Sequence, residues 1–273
     1  MKKLCVVLLV LFLASCGKDG QPREVWIENA QKETIYLQIE GNENADNKKL
    51  AVIQHGLASN MEHPAVQTVK KAFRDKGYTV ITFDSRYSLG KSDGDVINVR
   101  LSAFEDDLKT VIGWAQNQSF YSEPFALAGH SLGGASVLQY AAENPSAVDY
   151  AVPVTPVVSG KRWEESCMAN MPDFCRNWKR NGHYDYRAAV IPYEVVEQAK
   201  NYDSLRLAKD IRAKVLLVTA EDDNVIEPKD VKELYDALQT KKSLGVISDG
   251  GHNFTTEQSR RQLYDLVTDF LSK

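Results

Sequence analysis

The sequence predicts an α/β fold in which helices cover both faces of a mostly parallel sheet. Short, nearly continuous apolar runs rich in Val, Ile and Leu alternate along the chain with amphipathic stretches of helical spacing. Strands that are buried on both faces of a parallel sheet have this unbroken apolar character. The length of 273 residues, with 43% hydrophobic and 26% charged positions, suits one domain with one substantial core.

The first two apolar runs, EVWIE at 24–28 and TIYLQIE at 34–40, predict an antiparallel edge of the sheet. Helical spacing predicts helices at 66–77, where Gly77 ends the pattern, and at 103–118. Other helices are expected between or after the later strands. The remaining strands are predicted at 49–54, 78–84, 123–129, 148–154, 213–220 and 243–249.

The N-terminus has the pattern of an export signal. Two lysines precede an apolar run from Leu4 to Leu13, which is too short to span a bilayer because a spanning helix needs about 20 apolar residues. The following sequence, LASC at 13–16, resembles a bacterial lipobox, in which the cysteine is acylated and becomes the mature N-terminus. The alternative is an ordinary signal peptide that contains a cysteine.

We therefore expect residues 1–15 to be a lipoprotein signal peptide, residues 16–33 a lipidated tether leading into the edge strand, and residues 34–273 the folded domain. More than one acyl chain on Cys16 would anchor the protein stably to a membrane. The expected location is the bacterial cell envelope. Gly17, rather than an aspartate, follows the cysteine, which favours the outer membrane in a Gram-negative cell.

The charge of the chain argues against a nucleic-acid partner. The formal net charge is −4, and residues 1–15 contain two lysines and no acid, so their removal would make it −6. Nucleic-acid binding relies on clustered Lys and Arg side chains that neutralise phosphates, and the sequence has no such cluster.

A serine lies between glycines where a predicted strand gives way to a helix, in FALAGHSLGG at 125–134. This pattern matches the G-x-S-x-G nucleophile elbow, with Ser131 at its centre. The glycines permit a tight turn that lifts the serine oxygen clear of the sheet. The backbone N–H of Leu132 would lie at a helix N-terminus, which favours an anion. The alternative is a tight turn with a spare hydroxyl, and the strand–turn–helix context favours the nucleophile.

A serine nucleophile needs a base within hydrogen-bond reach, which an acid orients. His252 directly follows the last predicted strand and precedes a helix whose start is indicated by Thr255 and Gln258 in capping-box spacing. We expect His252 to be the base. His130 lies inside the elbow, points away from the neighbouring serine, and is expected to be packed or hydrogen-bonded locally.

The acid in elbow enzymes comes before the histidine in chain order and follows another strand. Glu221, Asp222 and Asp223 occupy that position after the strand at 213–220. We choose Asp223 because a short apolar turn and a proline follow it, and Asp222 is the alternative.

A tetrahedral oxyanion needs two hydrogen-bond donors, and Leu132 supplies only one. His55 and Gly56 follow the apolar strand at 49–54, so the backbone N–H of Leu57 is expected to point into the same cavity. The ordinary alternative is a glycine that serves only as a turn.

Five motifs occur in the order found in the α/β-hydrolase superfamily: HGLASN, FDSRYSLGKSDG, GHSLGG, AEDDNVIEP and DGGHNF. Over the folded domain the chain resembles the esterase, monoacylglycerol-lipase and serine-aminopeptidase-like branch. The resemblance implies Ser131 as nucleophile, His252 as base, Asp223 as the orienting acid, and the Leu57 and Leu132 amides as the oxyanion hole.

One loop departs from the superfamily pattern. Tyr87 stands where a glycine usually follows the arginine, and Gly90 comes one residue later than usual. We expect Asp84 and Arg86 in this loop to be structural rather than catalytic.

The stretch from about 156 to 204 is too long for an ordinary connection and predicts a cap inserted over the serine. Its large side chains suit either an acyl-binding slot or the cap's own small core, and both alternatives stay open. Cys167 and Cys175 are expected to form a disulfide, since an exported protein meets an oxidising environment; free thiols are the alternative. The large side chains of the 156–204 stretch include Trp163, Met168, Met171, Phe174, Trp178, Tyr184 and Tyr186.

The expected function is a serine hydrolase that cleaves small-molecule or lipid carboxylic esters through an acyl-enzyme, with no cofactor and no metal. A serine in the elbow argues against the dehalogenase and epoxide-hydrolase chemistries, in which an aspartate attacks an alkyl carbon. The alternatives are a peptidase with the same triad and a non-catalytic binding lipoprotein on the same fold.

Overall fold

The computed structural model describes residues 21–43, 48–187 and 189–273. The predicted signal peptide and the lipidation site Cys16 lie outside these residues. Within them, every helix falls short of the length and apolar character that crossing a membrane requires.

The strands are β1 (Arg23–Glu28), β2 (Thr34–Glu40), β3 (Leu50–Gln54), β4 (Thr79–Phe83), β5 (Phe125–His130), β6 (Val148–Val154), β7 (His183–Tyr186), β8 (Ala189–Pro192), β9 (Lys214–Ala220) and β10 (Lys242–Ile247). Eight of them form one sheet in the order β1-β2-β4-β3-β5-β6-β9-β10. β2 is antiparallel to both of its neighbours, and every neighbouring pair from β4 to β10 is parallel. The observed sheet confirms the predicted mostly parallel architecture and its antiparallel edge.

The helices are α1 (Pro64–Asp75), α2 (Leu101–Ala115), α3 (Leu132–Glu143), α4 (Gly160–Asn170), α5 (Pro172–Asn181), α6 (Glu194–Ala199), α7 (Ser204–Leu207), α8 (Pro228–Ala237) and α9 (Glu257–Phe270), with a short 3-10 helix at Val96–Asn98. Each face of the sheet carries its own apolar cluster. Phe73 of α1 and Leu263 of α9 pack in one cluster. Phe104 of α2, Leu138 of α3 and Leu234 of α8 pack in the other.

The start of α9 differs by one residue from the predicted capping box. The N-cap is Thr256, whose hydroxyl oxygen accepts the backbone N–H of Ser259 at 3.0 Å. The prediction that Thr255 and Gln258 mark the start is therefore wrong. Both threonines suit an N-cap by residue type, but only Thr256 precedes the first helical turn directly.

Residues 156–204, which we call the cap, fold into α4, α5, the antiparallel hairpin β7–β8, α6 and the start of α7. The two ends of the cap meet at its base. Ser159 and Asp203 form an antiparallel bridge, and Ser204 donates its backbone N–H to the carbonyl of Val158 at 2.8 Å. The chain thus leaves and re-enters the main fold at one place.

Candidate active site

Ser131 lies in the turn between β5 and α3, at the carboxyl end of the parallel strands. Its backbone has φ 55° and ψ −114°, a conformation that residues with a side chain rarely adopt. The flanking glycines permit close packing of the turn. A Cβ on Gly129 would lie 2.3 Å from the carbonyl oxygen of Gly133, and one on Gly133 would lie 2.3 Å from that of His55.

The side chains of Ser131, His252 and Asp223 form a continuous hydrogen-bonded chain. His252 Nδ1 lies 2.9 Å from Asp223 Oδ2, and His252 Nε2 lies 3.0 Å from Ser131 Oγ. An ionised carboxylate only accepts hydrogen bonds, so Nδ1 carries the proton and Nε2 accepts the serine hydroxyl. The fold therefore leaves the basic nitrogen of the imidazole facing the serine oxygen.

Asp223 is held in place by its own loop. Its Oδ1 accepts the backbone N–H groups of Val225 at 2.9 Å and Ile226 at 3.0 Å, which leaves Oδ2 for His252. The side chain is fully buried. Burial and the two backbone N–H groups fix the orientation of the carboxylate independently of its contact with the imidazole.

Asp222, the alternative acid, has a different set of partners. Its Oδ1 accepts the backbone N–H groups of Gly250 at 3.1 Å and Gly251 at 2.7 Å. These glycines begin the loop that carries His252. Of the two aspartates, Asp223 contacts the imidazole and Asp222 binds the backbone of its loop.

Two backbone segments next to Ser131 carry the N–H groups that the sequence predicts for an oxyanion hole. Leu132 is the first residue of α3, and the first N–H groups of a helix have no partner within the helix. The loop after β3 packs closely against the elbow, since a Cβ on Gly56 would lie 3.0 Å from Ser131 Cβ. This contact places the segment with Leu57 beside the serine.

His55 determines the direction of the peptide between Gly56 and Leu57. Its Nε2 accepts the backbone N–H of Ser85 at 2.9 Å, so Nδ1 carries the proton and donates to the Gly56 carbonyl at 2.7 Å. In a trans peptide the N–H points opposite to the carbonyl. The N–H of Leu57 is therefore directed away from His55, and burial lowers the pKa of His55 so that this ring is neutral.

Two further histidines lie against the loop of His252. His130 lies 2.8 Å through Nε2 from the backbone carbonyl of His252, and its ring stacks on His63 with centroids 4.5 Å apart. His63 Nε2 lies 3.3 Å from the side-chain oxygen of Asn253. Burial lowers the pKa of His63 to about 4, helped by nearby positive charges that include Arg187, and burial also lowers the pKa of His130 well below its usual value.

Sequence reasoning assigned no role to His63 or Asn253. His63 directly precedes the proline that begins α1, and the side chain of this N-cap accepts the N–H of Ala65. That pattern predicts a helix start and says nothing of the distant loop that the ring faces. Within the part of the chain that the structure describes, no group of three His, Cys, Asp or Glu side chains is arranged to hold a metal ion.

The loop that departs from the superfamily pattern makes structural contacts. Tyr87 adopts φ 57°, the left-handed conformation that a glycine would take without strain. Asp84 accepts the backbone N–H of Met61 at 2.8 Å, and Arg86 forms a buried ion pair with Asp107 at 2.5 Å.

The aromatic residues of the cap pack on one another around Trp178. Its ring centroid lies 4.9 Å from that of Tyr184, 5.3 Å from that of Tyr193 and 6.3 Å from that of Trp163. The indole N–H donates to the carbonyl of Ile191 at 3.0 Å. Of the two roles left open by the sequence, these contacts fit a core of the cap for Trp163 and Trp178, both of which are buried.

A disulfide joins Cys167 of α4 to Cys175 of α5. Both cysteines are buried in the same apolar cluster as Trp163 and Trp178. The bond therefore links the two cap helices beside the aromatic core.

The family described as serine aminopeptidase, S33, matches residues 45–207, which is more than half of the chain. The chain belongs to the serine aminopeptidase S33 family. The matched segment of this S33-family protein includes the loop after β3, with Leu57, and Ser131. It ends before Asp223 and His252, so the placement of these two residues rests on the geometry described above.

Known relatives of the S33-family chain include an uncharacterized 31.7 kDa protein of Escherichia coli from the traX-finO intergenic region, 26% identical over 223 residues, or 69% of this chain and 77% of that protein. A monoacylglycerol lipase of Mycolicibacterium smegmatis is 32% identical over 118 residues, or 42% of this chain and 40% of the lipase. The structure of Est1E from Butyrivibrio proteoclasticus with ferulic acid superposes with a TM-score of 0.77 at 18% identity, over 91% of this chain and 98% of Est1E. The structural likeness shows a common α/β-hydrolase fold.

Proposed function

We propose that this S33-family protein is a serine hydrolase that cleaves carboxylic esters through an acyl-enzyme on Ser131. The observation that carries the proposal is the hydrogen-bonded chain from Ser131 Oγ through both nitrogens of His252 to Asp223 Oδ2, with contacts of 3.0 and 2.9 Å. A serine hydroxyl is a weak nucleophile until an adjacent base accepts its proton. Here the base is in contact and is oriented by a buried acid.

In the acylation half of the reaction, His252 Nε2 takes the hydroxyl proton while Ser131 Oγ attacks the acyl carbon. The backbone N–H groups of Leu57 and Leu132 donate to the negatively charged carbonyl oxygen as it forms. His252 then gives the proton to the departing alcohol oxygen, and Asp223 stabilises the imidazolium in between.

In the deacylation half, water replaces the alcohol. His252 takes a proton from the water as it attacks the acyl carbon, and returns that proton to Ser131 Oγ when the ester bond to the enzyme breaks. The acid product leaves and the serine is restored. Every proton in this scheme moves through one nitrogen, His252 Nε2.

The ester class is supported by the monoacylglycerol lipase among the relatives. The structurally similar Est1E binds ferulic acid, a carboxylic acid of the kind that ester hydrolysis releases. The family description, serine aminopeptidase, supports the alternative of peptide bonds. The same three side chains serve both substrates, because the two reactions differ in the leaving atom, oxygen or nitrogen, that His252 protonates.

The test is hydrolysis by the purified protein of p-nitrophenyl esters from acetate to palmitate, with aminoacyl p-nitroanilides in parallel. We expect turnover of esters that disappears in Ser131→Ala, with a chain-length optimum that measures the space beneath the cap. Cleavage of anilides alone would identify a peptidase. A folded wild type as inert as the variant on both series would point to a substrate outside the two series or to a binding protein.

The proposal includes lipid anchoring at Cys16 and a location in the bacterial cell envelope, in the outer membrane of a Gram-negative cell. The support is the sequence LASC at 13–16 with Gly17 after it. We expect the wild type in the membrane fraction and the Cys16→Ser variant outside it. Equal distribution of both proteins would favour an ordinary signal peptide.

A further inference from the structure

His130 is buried beside the proposed base, and the mechanism above does not use it. The ring is 4% exposed and contacts backbone on two sides. Its Nε2 lies 2.8 Å from the carbonyl oxygen of His252. On the other side, a Cβ on Gly56 would lie 3.0 Å from His130 Nδ1.

These contacts establish the protonation state of the ring. A carbonyl oxygen only accepts, so Nε2 carries a proton and donates it to His252. Nδ1 has no hydrogen-bond partner among the described residues, and a second proton there would be a buried donor without an acceptor. His130 is therefore a neutral imidazole with a single directed donor.

The neighbours of His130 keep it in that state. His63 stacks on its ring with an angle of 19° between the planes, and the ring of His252 lies 5.0 Å away. His252 becomes positively charged during the proposed reaction. A second fixed charge at this distance would oppose that step, so a neutral ring suits the position.

We propose that His130 is a positioning residue that ties the loop of the base to the oxyanion loop. The hydrogen bond to the His252 carbonyl fixes the backbone from which the catalytic imidazole extends. The contact with Gly56 sets the distance between that backbone and the peptide of Leu57. This inference rests on the proposed function, since it assigns a role in the reaction of Ser131.

The test compares His130→Phe, which keeps a ring but loses the donor, with His130→Gln, whose amide reaches the position of Nε2. Displacement of a catalytic group by about 1 Å can cost about 10²-fold in rate. We expect kcat for ester hydrolysis to fall by roughly 10- to 100-fold in the Phe variant, with KM within about threefold, and to recover to within about fivefold in the Gln variant. His183→Phe, at an exposed histidine in the cap hairpin, is the matched control.

Hydrogen exchange of the 248–255 segment provides a readout that needs no substrate. We expect faster exchange in this segment in His130→Phe than in the wild type and His130→Gln. Equal loss of kcat in the Phe and Gln variants, or unchanged kcat and exchange in the Phe variant, would overturn the inference. If the wild type hydrolyses no ester, the proposed function fails. In that case, unchanged hydrogen exchange in His130→Phe would separately reject the claim that His130 holds the loop of His252 in place.

Discussion

The elbow end of the sheet and the cap are built in opposite ways. At the elbow, polar side chains far apart in the sequence meet through directed hydrogen bonds, as between Ser131, Asp223 and His252. In the cap, neighbours within one 49-residue segment pack aromatic rings around Trp178. The parallel strands hold the chemical groups in place, whereas the aromatic rings of the cap pack on one another and extend the apolar cluster of one face of the sheet. Substitutions at the elbow should therefore change turnover, and substitutions in the cap core should mainly change stability.

The largest effect is expected from Asp223→Asn, with Asp222→Asn as its matched control. An amide can donate toward His252 Nδ1 and favour the wrong tautomer, a change that costs about 10⁴-fold in kcat in a triad of this kind. Asp222→Asn retains the oxygen that accepts the two glycine N–H groups, so we expect less than about a tenfold loss. Steady-state kinetics on the best ester measures both.

An effect of similar size in the two aspartate variants would contradict the assignment of Asp223. A larger loss in Asp222→Asn would make the neighbouring carboxylate the functional acid. Circular dichroism of both proteins distinguishes these outcomes from failure to fold.

A smaller loss of turnover is expected from Gly56→Ala. The added methyl group would lie 3.0 Å from both Ser131 Cβ and His130 Nδ1, so the loop with Leu57 must move. Loss of one oxyanion donor costs about 10²–10³-fold in kcat, which is the size of effect we expect. The measurement is kcat for the best ester.

Gly113→Ala is the control for this substitution, because a Cβ there meets no described atom within 4 Å apart from its chain neighbours and the backbone of its own helix. Gly113 lies in α2, where alanine is favoured over glycine by about 1 kcal/mol, so this variant should be at least as stable as the wild type. Unchanged kcat in Gly56→Ala would show that the loop after β3 supplies no donor.

The sequence is informative where a pattern is local. The elbow combines a strand, a turn and a helix in ten residues, and chain order limits the acid to three neighbours after β9. The choice between Asp222 and Asp223 depends on which side chain contacts the imidazole of a loop 29 residues further on and which contacts the backbone of that loop, as the hydrogen bonds show. No local pattern specifies that direction.

The cap shows where prediction from sequence stops. Its aromatic residues were compatible with a substrate slot or a core, because periodicity does not say what a side chain faces in an inserted segment. The contacts of Trp178 reveal packing within the cap. The sequence likewise does not reveal the partner of His130, because the His252 carbonyl that it contacts is 122 residues away.

Removing the cap disulfide should change stability and leave turnover nearly intact. We expect Cys167→Ser with Cys175→Ser to lower the free energy of unfolding by about 2–3 kcal/mol, the size typical of a short closed loop. Neither cysteine contacts the triad through a described hydrogen bond, so kcat should stay within about threefold. Denaturant unfolding and ester kinetics measure the two quantities. A large fall in kcat with unchanged stability would show that the cap contributes to turnover rather than to stability, contrary to this comparison.

The smallest effect on stability is expected at Glu105, a residue of α2. Burial raises the pKa of Glu105 to about 7, with repulsion from Glu143 and Asp106 opposing attraction by Lys109, and its charge also acts on Tyr202 of the cap. The folded protein therefore favours the protonated carboxyl. The stability this provides is complete below the ordinary pKa of 4.5 and is lost as the pH rises through 7.

Glu105→Gln removes this dependence because its side chain is neutral at every pH. We expect the difference in Tm between variant and wild type to grow in favour of the variant by roughly 2–4 °C from pH 5 to pH 8. Thermal unfolding at the two pH values measures it. A difference that is the same at both pH values would show that Glu105 titrates as an exposed carboxyl does.

The most direct test of the central claim, that His252 activates Ser131 as a nucleophile, is reaction with a fluorophosphonate followed by mass spectrometry. We expect one adduct per chain, located on Ser131, no adduct in folded Ser131→Ala, and much slower labelling in folded His252→Ala. A folded wild type that stays unlabelled, or an adduct on another residue, would contradict the assignment of the nucleophile. Equal labelling rates in the wild type and His252→Ala would contradict the assignment of the base.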